Sequence, residues 1–264
     1  MKKEAQICRV ALHAWEEPII SGTRGSGTIF FSGCSLSCVF CQNYEISHCA
    51  AGRIYSTADI IRAMQELVAA GAHNINFVNP THYAHVLKEV LQQYKPPVPV
   101  VYNTGGYDSP QTLRALEGLV DVYLPDYKYM FSESAQHYSG HGKYTENIIH
   151  ALDEMYRQVG PAYTENDILQ KGMLVRHLVL PGHSEEGVRI VEYLTRRYGD
   201  SIYISVMSQY TPHGNLDAYP ELNRRLKPIE YKRVVAALRR SGQQNCFIQE
   251  PESSSDAYIP AFEW

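Results

Sequence analysis

Apolar and β-branched residues recur in short runs along the chain: Gly27–Gly33 (GTIFFSG), Asn74–Asn79 (NINFVN), Val98–Asn103 (VPVVYN), Val120–Leu124 (VDVYL), Met173–Leu180 (MLVRHLVL) and Ile202–Met207 (IYISVM). Most are near-continuous rather than alternating, the pattern of strands buried on both faces. Helical periodicity fills the intervals. Ser56 and Thr57 cap a helix with Ile60, Ile61, Met64, Leu67 and Val68 on one face and Gly71 as its stop. Ser109-Pro110 starts a second helix, with proline where its missing N–H costs nothing. Ile148, Ile149, Leu152, Met155, Tyr156 and Val159 form a third apolar face, Ser184 opens a fourth helix and Pro228 a last one. Strand and helix alternating about six times predicts an α/β fold with a parallel sheet, either doubly wound or closed towards a barrel. Residues 1–26 are expected to form an N-terminal arm, and 27–264 a single domain whose tail from Glu250 is polar and then aromatic.

Composition removes several classes of function. With 264 residues, 44% hydrophobic and 20% charged, the chain can bury a sizeable core. A formal net charge of -4 gives no global electrostatic reason to expect a nucleic-acid partner. No stretch approaches the ~18 consecutive apolar residues of a membrane span. The opening MKKEAQICRVALHAW carries no apolar run of signal-peptide length. The expected compartment is therefore a reducing cytoplasm, where thiols stay free or bind metal.

That makes the cysteines the informative residues. There are six, and three of them, Cys34, Cys38 and Cys41, fall in CSLSCVFC immediately after the first predicted strand. Three thiolates on one tight loop can hold three irons of a cubane 4Fe-4S cluster and leave the fourth open to an outside ligand. The alternative is a zinc knuckle with Cys49 or His48 as fourth ligand, in a non-catalytic interaction protein. Cys8 and Cys246 read as isolated buried thiols.

In a barrel the chemistry sits where strands end, and polar groups follow all six runs. Asn79-Pro80-Thr81-His82 follows the second, Asn103-Thr104-Gly105-Gly106 the third, and Pro125-Asp126-Tyr127-Lys128 the fourth. The fifth carries Arg176-His177, and Ser208-Gln209-Tyr210 follows the sixth. Asp126 and Lys128 lie two apart and point the same way on extended chain. They suit an amino-acid zwitterion or a surface ion pair. Arg176, in an otherwise apolar strand, needs a partner, either a ligand carboxylate or ribose, or a structural carboxylate. His177 points to the opposite face and reads as a packing histidine. Asn103, Thr104 and Asp126 together also form an oxygen-rich set that suits a hard cation.

With Phe40 in its aromatic slot, the cysteine loop resembles the CxxxCx(aromatic)C signature of the radical S-adenosylmethionine (SAM) superfamily. The resemblance implies a partial (β/α)6 TIM-like barrel, one 4Fe-4S cluster on Cys34, Cys38 and Cys41, and SAM as second cofactor, cleaved reductively to methionine and a 5'-deoxyadenosyl radical. It narrows further. NTGGY, VDVYLPDYKYM, SAQHYSG and RHLVLPGHSEE follow the order of the pyruvate formate-lyase activating enzyme group. WEEPIISGTRGSGTIFFSGC and CVFCQNYEIS resemble a set of activating-enzyme homologues more closely still. Carried over residue by residue, this places Phe40 and Asn43 near the adenine or the cluster. Asp126, Lys128 and Arg176 would contact SAM, and Leu178 would line the adenine pocket. Asn79-Pro80-Thr81 replaces the Gly-Gly-Glu that many members use for the SAM amino group, so Asn79, Thr81 and backbone carbonyls take over that contact. Tyr210 stands where activating enzymes use a histidine. The oxygen-rich set of Asn103, Thr104 and Asp126 is expected to hold a monovalent cation, and an electron donor such as flavodoxin or ferredoxin is expected as a partner. Its substrate would be a protein or peptide losing a hydrogen atom, as in activation of a glycyl radical enzyme, or else a small molecule.

Overall fold

The computed structural model describes residues 4–48 and 51–249. Their strands are β1 (Glu4–His13), β2 (Ser26–Phe31), β3 (Arg53–Ser56), β4 (Ile75–Val78), β5 (Val100–Thr104), β6 (Val122–Pro125), β7 (Tyr163–Glu165), β8 (Ile168–Leu178), β9 (Tyr203–Met207) and β10 (Cys246–Ile248). Their α-helices are α1 (Pro18–Ser21), α2 (Tyr44–His48), α3 (Thr57–Ala69), α4 (Ala84–Gln93), α5 (Pro110–Arg114), α6 (Ser132–Ser139), α7 (Tyr144–Val159), α8 (Ser184–Tyr198) and α9 (Pro228–Arg240). No helix among the described residues is long and apolar enough to cross a membrane.

The sheet runs β10-β9-β8-β6-β5-β4-β2-β1-β3. From β2 to β10 every pairing is parallel. The six predicted strands are β2, β4, β5, β6, β8 and β9, joined by helical crossovers into a partial (β/α)6 TIM-like barrel. β10 adds a seventh parallel strand that the sequence reading lacks. The segment expected as an arm is instead part of the sheet: β1 lies antiparallel on β2, and β3 on β1. Its one-in-two burial, with Ala5 and Ile7 inside, covers the edge that β2 would otherwise expose. Asn166 and Asp167, both at positive φ, turn β7 back onto β8 in a two-residue hairpin.

Local rules account for the helices. Ser56 and Asp59 close a reciprocal capping box at the start of α3. Ser109 caps α5 through the Thr112 N–H, ahead of Pro110. α4 has no counterpart among the helices the periodicity predicts, yet it buries Val86, Leu87, Val90 and Leu91 as one stripe and covers the crossover from β4 to β5.

Strand alternation divides the core in two. Ile29, Phe31, Ile75, Phe77, Val100, Tyr102, Tyr123, Met173 and Val175 face outwards into the layer shared with the helices. Val101, Val122, Leu124 and Leu174 face the barrel interior, where Ile19 and Ile20 of α1 pack against them. Above that apolar layer the same inner faces carry Asn103, Arg176 and Asp126. The N-terminal part of the interior is thus filled with hydrocarbon, and the polar residues collect at the C-terminal ends.

Ile20 is fully buried in this plug. Ile20→Ala should lower stability by about 2–5 kcal/mol in chemical denaturation, because the surrounding strands cannot collapse into the space.

Candidate active site at the C-terminal ends of the strands

The loop after β2 is fixed by backbone geometry. Gly33 sits at φ +83°, and a Cβ there would come within 3.2 Å of the His82 ring. The His82 Nε2–H donates to the Ser32 carbonyl at 2.6 Å. Gly33 N–H donates to the Ile46 carbonyl at 2.8 Å. From β4, Asn79 takes the left-handed conformation, at φ 58°, that asparagine tolerates better than most residues. Its side-chain amide donates to the Gly33 carbonyl, and its backbone N–H donates to the Asn103 carbonyl at 2.7 Å. One residue therefore ties the cysteine loop to the ends of β4 and β5.

Each of the three sulfurs faces a donor. The Leu36 N–H donates to Cys34 Sγ at 3.3 Å, Tyr129 Oη to Cys38 Sγ at 3.5 Å, and Ser47 Oγ to Cys41 Sγ at 3.3 Å. The Cys34 thiol itself reaches Asn79 Oδ1 at 3.5 Å. Burial pushes the Cys38 thiol up to about 11, against a smaller opposing pull from Lys128. Burial raises Cys34 as well. Such thiols release a proton when they ligate a metal. Phe40 packs its edge against Tyr129, Tyr138 and Tyr210, with centroids 6.1–6.5 Å apart.

Across the same cavity lies a charged network. Arg176 Nε meets Asp126 Oδ1 at 2.8 Å, and Nη2 donates to Asn103 Oδ1 at 2.7 Å. Lys128 Nζ meets Asp126 Oδ2 at 2.6 Å. Burial alone would raise Asp126, but Arg176 and Lys128 overcome it and hold the carboxyl below its ordinary range. The remaining guanidinium nitrogen, Nη1, meets Glu16 Oε2 at 2.9 Å. Gly106, at φ +83°, permits this layout, since a Cβ there would lie 2.5 Å from the Asp126 carbonyl. Tyr144 Oη accepts the Lys128 N–H at 2.9 Å and donates towards the Asp126 carbonyl at 2.7 Å.

The cavity wall brings together Cys34, Cys38, Phe40, Cys41, Asn43, Asn79, Asn103, Thr104, Asp126, Lys128, Arg176 and Leu178. Thr81, expected among them, stands back from the wall and bonds Thr104 Oγ1 at 3.1 Å. Tyr210, expected at the histidine position, turns away and donates to the Leu222 carbonyl at 2.9 Å, while its neighbour Gln209 lines the wall. His177 faces the helices as expected and bonds the Tyr127 carbonyl. Sequence reasoning gave no role to Glu16, which also lines this wall. Its signals were its place in the WEEPIISG stretch and the carboxylate pair Glu16-Glu17 ahead of Pro18 and two isoleucines.

Comparison with known proteins decides the family. The sequence profile of the Radical SAM superfamily matches residues 28–194, more than half of the chain. The chain belongs to the radical SAM superfamily. An uncharacterized protein of Methanocaldococcus jannaschii is 30% identical over 258 residues, covering 92% of this chain and 69% of its own. Several solved structures superpose on this one. SuiB of Streptococcus suis bound to its precursor peptide SuiA has a TM-score of 0.54 at 11% identity, over 83% of this chain and 47% of that chain. This chain thus spans about half the length of SuiB. Methylornithine synthase (PylB) has a TM-score of 0.54 at 13% identity, over 89% of this chain and 74% of that chain. The FeFe-hydrogenase maturase HydG of Carboxydothermus hydrogenoformans has a TM-score of 0.55 at 13% identity, over 89% and 56%. At these identities the likeness is one of fold.

Membership in the radical SAM superfamily implies a 4Fe-4S cluster and SAM. The residues present fit both: three sulfurs, each with a hydrogen-bond donor, border the cavity that also holds Asp126 and Lys128. The zinc-knuckle alternative needs His48 or Cys49 as its fourth ligand. His48 is exposed, stacks on Tyr44 at 4.2 Å and bonds Ser47, and Cys49 lies outside the described residues. Among the described residues no group of three or more His, Cys, Asp and Glu side chains is gathered as one metal ion requires. Thiolates on three separate irons need not converge on one point. The oxygens expected around a monovalent cation all have side-chain partners here. Both Asp126 oxygens are taken by Arg176 and Lys128, Asn103 Oδ1 is taken by Arg176, and Thr104 Oγ1 donates to Asp108 Oδ2 at 2.5 Å.

Because Asp126 is depressed in the folded state, its stabilising contribution is present above the ordinary carboxylate range and is lost as pH falls through the folded value. Asp126→Asn should therefore cost about 3 kcal/mol at neutral pH. The gap from wild type should close in acid, as read from denaturation curves across pH.

Proposed function

We propose that this radical SAM enzyme removes a hydrogen atom from a polypeptide, in the manner of a glycyl-radical-enzyme activating enzyme. The observation that carries the reading is the single cavity that sets Cys34, Cys38 and Cys41 opposite the Asp126–Lys128 pair. When bound, a 4Fe-4S cluster supplies one electron that splits the SAM sulfonium into methionine and a 5'-deoxyadenosyl radical. The chain's own residues then have separable tasks. Cys34, Cys38 and Cys41 ligate three irons and leave the fourth to SAM. Asp126 and Lys128 present opposite charges to the amino-acid end of SAM, and Asn79 offers an amide oxygen on the same wall. Phe40, Asn43 and Leu178 border the nucleoside. Leu36 and the ring cluster around Phe40 exclude water from the reducing centre. The electron comes from a donor of the flavodoxin or ferredoxin class.

Two observations support a polypeptide substrate: the ordered motifs from NTGGY to RHLVLPGHSEE, and a structural neighbour solved with a precursor peptide bound. A small-molecule substrate is the second reading, favoured by the likeness to methylornithine synthase.

Anaerobic reconstitution with iron and sulfide, followed by reduction in the presence of SAM, should yield 5'-deoxyadenosine and methionine. Failure to take up iron, or iron uptake without 5'-deoxyadenosine, would sink the catalytic reading. Elemental analysis showing zinc in place of iron would point to a binding protein instead. Cys38→Ala should abolish cluster assembly and SAM cleavage while circular dichroism shows the barrel still folded. A glycyl radical signal by electron paramagnetic resonance on a co-purified partner, quenched in Cys38→Ala, separates the polypeptide reading from the small-molecule one.

A further inference from the structure

Glu16 lies on the linker between β1 and α1, before the segment matched by the family profile, and it reaches the inner face of the barrel. Its side chain is 9% exposed. Oε2 meets Arg176 Nη1 at 2.9 Å, and Oε1 accepts from Asn103 Nδ2 at 3.1 Å and Asn76 Nδ2 at 3.3 Å. The linker is itself pinned: Glu16 N–H donates to Ser21 Oγ at 3.0 Å, and Ser21 Oγ donates to the His13 carbonyl at 3.2 Å.

The arrangement divides the guanidinium of Arg176 among three carriers: Asp126 after β6, Asn103 on β5 and Glu16 on the linker. A planar guanidinium prefers to grip one carboxylate with two parallel bonds. Here it holds Asp126 by Nε alone, and the second oxygen of Asp126 is left for Lys128. Glu16 supplies the anion that Nη1 would otherwise seek. Without it, the nearest carboxylate for a second bond is Asp126, and Oδ2 would be contested between Arg176 and Lys128. Burial raises the neighbouring Glu17 carboxyl and Arg176 opposes it, while all three guanidinium nitrogens are already bonded to Asp126, Asn103 and Glu16.

We infer that Glu16 is a positioning residue for the SAM site, holding Arg176 from inside the barrel so that Asp126 stays paired with Lys128. This rests on the reading that Asp126 and Lys128 receive the amino-acid end of SAM. The residue acts through its neighbours and need not touch the cofactor. It also makes the linker before β2 part of a site whose other members lie within or beyond the family-matched segment.

The test is SAM affinity, measured by anaerobic calorimetry on reconstituted protein. Glu16→Gln keeps the shape and removes the charge. It should weaken SAM binding about tenfold, with iron content unchanged. In a Lys128→Ala background the same substitution should have little further effect, because the residue it acts through is gone. Wild-type affinity in Glu16→Gln would overturn the inference, and so would a full additional loss in the Lys128→Ala background, which is the behaviour of a merely structural residue. Should Glu16→Gln not fold, Glu16→Asp, which keeps the charge on a shorter arm, carries the same pair of comparisons. Wild-type protein that assembles a cluster yet binds no SAM would remove the function reading itself. That outcome is distinguishable from the others because it appears before any variant is made.

Discussion

A guanidinium can sit inside a barrel only if anions meet it there, and Arg176 is such a guanidinium. Its strand supplies none, so the carboxylates arrive from elsewhere: Asp126 from the end of β6 and Glu16 from the linker after β1. Satisfying that one buried charge fixes the relation of the N-terminal strand to the sheet and the orientation of Asp126. Through Asp126 it also fixes Lys128, whose charge acts on Cys38 and Cys41. The cysteine loop is joined to the same strand ends by Asn79. The site is a set of strand tips held in register by polar bonds, and an apolar plug lies beneath it.

The tyrosines are concentrated in the interior. Tyr102, Tyr123, Tyr127, Tyr129, Tyr144 and Tyr210 are among the largest fully buried side chains. Several of their hydroxyls are tied to strand-end groups, as Tyr102 is to Asp108 and Tyr144 to the Asp126 carbonyl. A phenol combines apolar area with one polar end. It therefore suits a layer that must be dry at the helices and hydrogen-bonded at the strand tips.

How much of this was legible in the sequence depends on distance along the chain. The six inner strands show as continuous apolar runs because both their faces are covered. Cys34, Cys38 and Cys41 show because their spacing is local, and Asp126 and Lys128 because two residues of extended chain set their direction. β1 was not legible, since EAQICRVALH mixes charged and apolar residues on a strand with one covered face. β10 is only Cys246–Ile248. Glu16 could not be assigned because its partner Arg176 is 160 residues away, and nothing in either neighbourhood announces the pairing. Thr81 and Tyr210 were placed by strand-end position and by the family motif positions they occupy. That fixes which loop a side chain belongs to but not which way it turns.

β1 has a double duty. It occupies the hydrogen-bonding edge of β2, and the linker that leaves it delivers Glu16 beneath Arg176. A chain trimmed back to the start of the family-matched segment would lose both at once. It would present a raw strand edge to other copies of itself and an uncompensated cation to its own interior. Self-association and a failing ligand site would then arrive together, and a shortened protein that precipitates would say nothing about its chemistry.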